Sequence, residues 1–256
     1  MLDHPILLFF VSLTVLWISA YSGRSVARTA AGPNDGERED LVVILTAALT
    51  LLGLIIGFTF SMAISRYDQR KDLEAAEANA VGTEMVRVGL MPQAEAAGIR
   101  GLLKHYLKQR VSAYATLDEH ESRRLRESTA TTQSELWSAV RGYASNQPNA
   151  LAALLISGMN DVLNSQAYTQ ASWWNRIPTA AWALMAVIAV MCSYMVGYTT
   201  HNPERKAKRV FIVPLIVGTS FFLIADIDSP HGGLIRIHPL NLESLYSSVN
   251  GVLGEK

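Results

Sequence analysis

Four apolar stretches alternate with polar stretches along the 256-residue chain, and the one charged residue within them is Asp226, near the end of the fourth. They cover residues 5–22, 41–64, 177–198 and 210–227. The hydrocarbon core of a bilayer is about 30 Å thick, which requires about 20 residues of α-helix. The pattern therefore predicts four transmembrane helices. The second and third stretches are long enough to cross, whereas the first is slightly short and the fourth is marginal.

The first stretch has an alternative interpretation as a signal peptide. Residues 1–4 before it contain no positive charge, and no small-x-small cleavage motif follows it. Trp17 and Tyr21 lie near its end, where aromatic residues anchor transmembrane helices in the interface. We therefore favour a membrane span.

Residues 65–176 form a long polar region with the periodicity of amphipathic helices. The pattern predicts helices at 65–88, 93–115, 117–143 and 149–172. The first of these continues the second apolar stretch, because residues 65–81 contain neither Gly nor Pro. Pro92 and Pro148 mark two of the breaks, since proline disfavours helical conformation in the residue before it and is tolerated in a first turn.

The predicted fold class is an all-α integral membrane protein with an extramembrane helical domain between the second and third transmembrane helices. The chain is divided into a first helix pair, a polar helical domain, a second helix pair and a C-terminal tail, at 1–64, 65–176, 177–228 and 229–256.

Composition narrows the possible functions. Only 17% of the residues are charged, below the quarter typical of soluble domains, and a net charge of zero gives no indication of a nucleic-acid partner. The single Cys192 excludes a disulfide framework. The histidines lack metal-ligand spacing, and neither a Gly-rich phosphate loop nor a Gly-x-Ser-x-Gly motif occurs. We therefore expect no enzymatic activity, no cofactor and no metal.

The distribution of basic residues gives one indication of how the chain is oriented in the membrane. The linkers 23–40 and 199–209 lie on one predicted side, and the N-terminus, polar domain and tail lie on the other. Seven basic residues near the membrane against five favour cytoplasmic linkers. The seven are Arg24, Arg28, Arg38, Arg205, Lys206, Lys208 and Arg209, and the five are Arg66, Arg70, Lys71, Arg176 and Arg236.

The second apolar stretch contains a stripe at four-residue spacing. Thr50, Leu54 and Phe58 follow one another on one helical face, while Gly53 and Gly57 lie on another and permit close approach of a second helix. Repeated around the axis of an oligomer, Leu54 and Phe58 would form a narrow apolar constriction, which can gate by dewetting. The alternative is that these side chains face lipid or a neighbouring helix.

Two acids at the end of the fourth stretch oppose the helix dipole. Asp226 and Asp228 therefore need solvent, a basic partner or a bound ion. Arg66 and Arg70 follow the second stretch on the same predicted side of the membrane. Either the aspartates reach water at the interface, or they form a lock with these arginines or an ion site near a pore mouth.

Three segments resemble the bestrophins, and most closely the bestrophin-like membrane proteins of bacteria. Residues 57–67 (GFTFSMAISRY) are similar to the bestrophin pore helix, in which Gly-Phe is followed by Arg-Tyr at the same distance. Residues 74–83 (EAAEANAVGT) resemble the bestrophin-like proteins more than true bestrophins. Residues 226–236 (DIDSPHGGLIR) are similar to the acidic-Pro-aromatic-Gly turn after the last bestrophin span.

The resemblance implies a pentameric ion channel whose pore is lined by the second span. By position, Thr50, Leu54 and Phe58 would form the hydrophobic neck, although Thr50 is polar where an aliphatic residue is usual. Residues 234–239 contain no acids where calcium-regulated bestrophins have a run of them, so no calcium site is expected. The family places the polar domain in the cytosol, against the count of basic residues, so sidedness stays open.

The predicted function is an oligomeric ion channel of the bacterial inner membrane. Its partners would be the lipid bilayer, further copies of the chain and small inorganic ions, with no nucleic acid. The alternative is a non-conducting, membrane-anchored sensor or scaffold whose helical domain binds a ligand or partner. Conformational change would then pass along the continuous helix 41–88.

Overall fold

The computed structural model describes residues 4–29, 33–116, 118–200, 210–230 and 232–251. These residues form eight helices and contain no strand. In chain order the helices are α1 (Pro5–Thr29), α2 (Asp35–Val88), α3 (Gln93–Ala115), α4 (Glu119–Asn146), α5 (Ala150–Trp174), α6 (Thr179–Thr199), α7 (Ile212–Asp228) and α8 (Leu240–Gly251). The four basic residues predicted for the second linker, at 205–209, lie outside the described residues.

α2 is a single helix of 54 residues, which confirms that the second apolar stretch continues into the polar region without a break. It begins at Asp35 rather than at the predicted 41 because of a capping box. The Asn34 side-chain oxygen accepts the Glu37 backbone N–H at 2.9 Å, and the Glu37 carboxylate accepts the Asn34 backbone N–H at 3.1 Å. The acidic residues that follow Asn34 therefore form the first turns of a helix and not a linker.

α1 also extends beyond its predicted end at 22, because its last turns pack against α6. A Cβ atom at Gly23 would clash with the Tyr194 carbonyl oxygen, and one at Gly197 would clash with the Ala20 carbonyl oxygen. The two helix backbones approach so closely because glycine has no side chain to separate them. Most of the predicted linker 23–40 is thus helical.

The described chain divides into two compact units. Unit 1 comprises Met1–Arg66 and Arg176–Arg236, and so contains α1, the first part of α2, α6 and α7. Its apolar core is formed by Leu16, Leu52, Met185, Ala189, Val217 and Phe221.

Three stretches of the described chain are long and apolar enough to cross a membrane. They lie within Pro5–Thr29, Asp35–Val88 and Ala150–Thr199. α7 has 17 residues, which agrees with the marginal length of the fourth predicted span.

Unit 2 comprises Tyr67–Asn175 and Ile237–Lys256, and so contains the second part of α2 with α3, α4, α5 and α8. The prediction of α3 at 93–115 is confirmed, and α4 and α5 lie within a few residues of their predicted bounds. The N-cap residue of α5 is Asn149 and not Pro148, since the Asn149 side chain accepts the Ala152 N–H at 2.9 Å. The fully buried residues of its core are Val81, Val88, Leu103, Tyr106, Leu107, Leu136, Val140, Leu155, Met159, Val162 and Leu242.

α8 is the one described helix that the sequence pattern did not predict. Its 12 residues are too few for a stable isolated helix. Leu242 is fully buried in the unit 2 core, and Glu74 of α2 binds the start of the helix. α8 is therefore part of the same compact unit as α3, α4 and α5, whereas the tail up to Arg236 belongs to unit 1.

Candidate functional site: the two faces of α2

The predicted stripe on α2 is exposed in the single chain. Leu54 is 54% exposed and Phe58 is 67% exposed, and Thr50 is exposed with its hydroxyl donating to the Thr46 carbonyl oxygen at 2.8 Å. Only 6% of the most apolar window of α2 is buried, against 17% in α1. The structure thus leaves the face of α2 that contains Leu54 and Phe58 without a covering element from unit 1, whereas Leu52 on another face lies in the unit 1 core.

The open side of α2 forms a shallow groove of about 660 Å³. Residues from α2 alone line it, namely Val42, Val43, Thr46, Ala47, Thr50, Leu51 and Leu54. Gly53 and Gly57 lie beside the stripe, and a Cβ atom added at either would meet no other atom within 4 Å. This small-residue surface can accept another helix at close range.

The exposed face continues along α2 beyond its apolar part, where it becomes polar. On a helix with 3.6 residues per turn, the residues within about 40° of Leu54 on either side share its face, and all of them are exposed. From Thr50 onward they are Thr50, Phe58, Ser61, Ser65, Asp68, Asp72, Ala76, Asn79, Thr83 and Val86, so the face is mainly polar beyond Phe58 but also carries Ala76 and Val86. We call this set, with Leu54, the α2 stripe. Lys71 and Arg66 lie outside this face, so the charged residues of the stripe are both acids.

The opposite face of α2 is buried and contains charged residues. Arg70, Glu74, Glu77 and Glu84 are each at most 2% exposed. Buried charges are stable only when they are paired or hydrogen-bonded. Each of these four side chains therefore depends on groups from other helices or on its neighbours along α2.

Glu77 is paired with Arg110 of α3 at the centre of unit 2. The Arg110 Nε and Nη2 atoms donate to the two Glu77 carboxylate oxygens, and the Thr169 hydroxyl of α5 donates to Oε2 at 3.1 Å. The Arg110 guanidinium also lies 5.9 Å from the Tyr114 ring centroid and 5.8 Å from that of Trp173. Burial by itself opposes the charge of Arg110, but the Glu77 carboxylate raises the pKa of the guanidinium above its ordinary value.

Glu74 binds the N-terminus of α8. Its Oε1 accepts the backbone N–H groups of Asn241 and Leu242 at 3.0 and 2.9 Å, and its Oε2 accepts the Asn241 side-chain amide at 2.6 Å. A carboxylate at this position satisfies N–H groups without partners in the helix and interacts favourably with the helix dipole.

Arg66 and Arg70, the predicted partners of Asp226 and Asp228, lie in different surroundings. Arg70 is buried, and its Nε and Nη2 atoms donate to the carbonyl oxygens of Ser172 and Asn175 at 3.3 and 3.5 Å. Arg66 is half-buried, with Nη2 at 3.8 Å from the Met62 sulfur.

The two predicted aspartates are buried at the end of α7. Asp226 accepts the backbone N–H groups of Leu234 and Ile235 at 2.7 and 2.8 Å, so it fixes the turn after the helix. Asp228 accepts the backbone N–H of Ile177 at 3.2 Å. The lock or ion site formed by these acids with Arg66 and Arg70 stays a prediction. Within the described residues, no group of three or more His, Cys, Asp or Glu side chains could hold a metal ion.

The fold and the sequence together define a class of helical membrane protein. A bestrophin homologue from Klebsiella pneumoniae is similar in structure, with a TM-score of 0.69 and 11% sequence identity over 98% of this chain and 99% of that chain. A single-residue variant of that homologue gives a TM-score of 0.66 at 11% identity, over 98% and 99% of the two chains. At this identity the likeness shows the fold alone.

The sequence identifies the family directly. Residues 9–242 match the model of the bestrophin-like domain, and the chain belongs to the bestrophin-like family. The resemblance found in three short segments is thereby confirmed. Among curated protein sequences, none matches the chain.

Sequence reasoning missed the buried charged face of α2. Glu74 and Glu77 were noted only as part of a family-like segment, and Glu84 was not noted. A row of acids on a polar helix is normally solvated, and the partners Arg110, Thr169 and Asn241 are distant in the sequence. The available signal was the spacing of Arg70, Glu74 and Glu77 on the face that also contains Val81 and Val88.

Proposed function

We propose that this protein is an oligomeric ion channel of the bacterial inner membrane, with four transmembrane helices and a pore lined by α2. Membership of the bestrophin-like family supports a channel. The observation that most supports the pore-lining role of α2 is its exposed stripe, which is mainly apolar around Leu54 and Phe58 and mainly polar in the second half of the helix.

Copies of the chain would cover the open side of α2. The groove from Val42 to Leu54 has walls from α2 alone, and Gly53 and Gly57 offer a surface without side chains. In membranes, helices associate through such small residues, because lipid provides no hydrophobic driving force between them. A closed ring places the same face of every α2 around one axis.

Around that axis, Leu54 and Phe58 would form the narrow part of the pore. Rings of large apolar side chains exclude water from a constriction and so block ions until the ring widens. Ser61, Ser65, Asp68 and Asp72 would line the adjoining part of the pathway, where exposed polar groups can solvate an ion.

The second candidate is a membrane-anchored sensor or scaffold that conducts no ions. The unbroken course of α2 from its apolar part into unit 2 favours it, since such a helix can transmit a change of conformation. In this case the α2 stripe would contact lipid or a single partner.

Native mass measurement in detergent, combined with ion flux through reconstituted vesicles, separates the two candidates. The channel proposal predicts a closed ring of several copies, most naturally a pentamer, and measurable flux. A monomer or dimer that gives no flux above empty vesicles would overturn the channel and favour the sensor.

A further inference from the structure

Glu84 is a fully buried carboxyl group that the pore proposal does not use. Its side chain has no exposed area. The Oε1 atom is buried without a hydrogen-bond partner, and Oε2 lies 3.5 Å from Nη1 of Arg87. An ionised carboxylate in such surroundings lacks the hydrogen bonds that would replace its hydration.

Gly158 of α5 provides the space that the carboxyl group occupies. A Cβ atom built on Gly158 would overlap Oε2 of Glu84 and Nη1 of Arg87. The carboxyl group therefore lies directly against the α5 backbone, so a change in its charge acts where α2 packs against α5.

We propose that Glu84 is a proton-binding site that couples pH to the packing of α2 against α5. The protonated carboxyl is neutral and can remain in the space beside Gly158 at little cost. After deprotonation, the anion gains from moving toward Arg87 or water, which loosens the contact between the two helices. This inference does not rest on the proposed channel.

The charged groups that act on Glu84 in the described structure are Arg87 of α2 and Asp161 of α5. The net effect raises the pKa of Glu84 to about 7: burial is the largest cause and raises the pKa, the Arg87 guanidinium lowers it, and the Asp161 carboxylate raises it. Arg87 is 23% exposed and also lies 4.0 Å from Asp161, so its charge is shared between the two acids.

The direction of the pH effect follows from linkage. The folded chain holds the proton more tightly than the unfolded chain, in which Glu has a pKa of about 4.3. The stabilisation by this group is therefore complete below about pH 4 and is lost as pH rises through the folded value of about 7.

Infrared difference spectra of the full chain in detergent test the titration. The carbonyl band of a protonated carboxyl should disappear between about pH 6 and about pH 8 in the wild type, and this step should be absent in Glu84→Gln. Arg87→Gln should move the step to higher pH and Asp161→Asn to lower pH. Glu135→Gln, which changes an exposed acid on α4, should leave the step unchanged.

A distance measurement tests the coupling. Spin labels at Thr83→Cys on α2 and Asn160→Cys on α5, both exposed positions, are placed in a Cys192→Ala background. The label-to-label distance distribution should broaden or lengthen above about pH 7 in this protein, and should not change when Glu84→Gln is added. The proposal is overturned if Glu84→Gln retains the titration step of the wild type, or if the step is present and the distance is independent of pH.

Discussion

At the scale of single residues, the main feature of unit 2 is a set of buried charged side chains whose hydrogen-bond partners lie on other helices. Glu77 receives hydrogen bonds from Arg110 and Thr169, and Glu74 receives them from the start of α8. A buried ion pair contributes little over an apolar pair of similar shape, but loss of one partner leaves an uncompensated charge. These residues therefore specify which helices meet, and each is sensitive to substitution.

Glu77→Gln should destabilise the protein by about 3–5 kcal/mol, because it leaves the Arg110 charge buried without its partner. Denaturant unfolding of the full chain in detergent measures this change in the free energy of unfolding. Glu135→Gln, an exposed change of the same type, should alter it by less than about 0.5 kcal/mol. Equal stability of the two variants would contradict the role assigned to the Glu77–Arg110 pair.

The buried acids of α2 were not predicted from the sequence pattern. Helical periodicity predicts that the apolar positions of a helix face the core, and in the structure Leu103, Leu107 and Leu155 are fully buried there. The spacing of Glu77 puts it on the same face as Val81 and Val88, but periodicity does not identify its stabilising partner, because Arg110 lies on another helix. Long-range pairing of this kind is a property of the fold and not of the local pattern.

At the scale of helices, α2 has two faces whose character changes along its length. Charged residues of the buried face lie in unit 2, whereas the exposed face is mainly apolar around Leu54 and mainly polar from Ser65 onward, with Val86 exposed near its end. The sequence predicted that α2 is continuous because residues 65–81 lack Gly and Pro. It missed the early start at Asp35, although the Asn34–Glu37 capping box was visible as Asn-x-x-Glu.

Asp68 and Asp72 provide a test of which face of α2 lines the pathway. Asp68→Asn with Asp72→Asn removes two negative charges from the α2 stripe, so it should lower the permeability of cations relative to anions. The shift of the reversal potential in a salt gradient measures this ratio. Lys71→Gln changes an exposed charge outside the stripe and should shift the reversal potential less. A larger effect of Lys71→Gln would place a different face of α2 toward the pathway.

At the scale of the whole molecule, the part of the C-terminal tail that forms α8 belongs to unit 2. α8 packs into the core of unit 2 through Leu242, and it forms one compact unit with α3, α4 and α5. The sequence treated residues 229–256 as a separate tail, because a 12-residue helix has no strong pattern of its own. Its place depends on Glu74 and on the core, which the local sequence does not reveal.

Membership of α8 in unit 2 predicts that α4 and the tail lie on the same side of the membrane. Ala130→Cys on α4 and Ser247→Cys on α8 are both exposed, and a Cys192→Ala background removes the buried native thiol. A membrane-impermeant thiol reagent added to spheroplasts or to inverted vesicles should label both positions from one side only. This side also decides whether the polar domain is cytosolic. Labelling of the two positions from opposite sides would contradict the fold.

Ion flux through vesicles that contain Leu54→Ala with Phe58→Ala tests the central proposal most directly. Removing both side chains would widen the apolar constriction, so flux per assembly should rise above that of the wild type. Leu184→Ala with Val187→Ala on α6, which also changes two exposed apolar residues, is the matched control and should leave flux unchanged. Native mass in detergent must show that all three proteins form the same assembly. A stripe variant that assembles normally but conducts no better than the wild type would contradict a pore gated by Leu54 and Phe58.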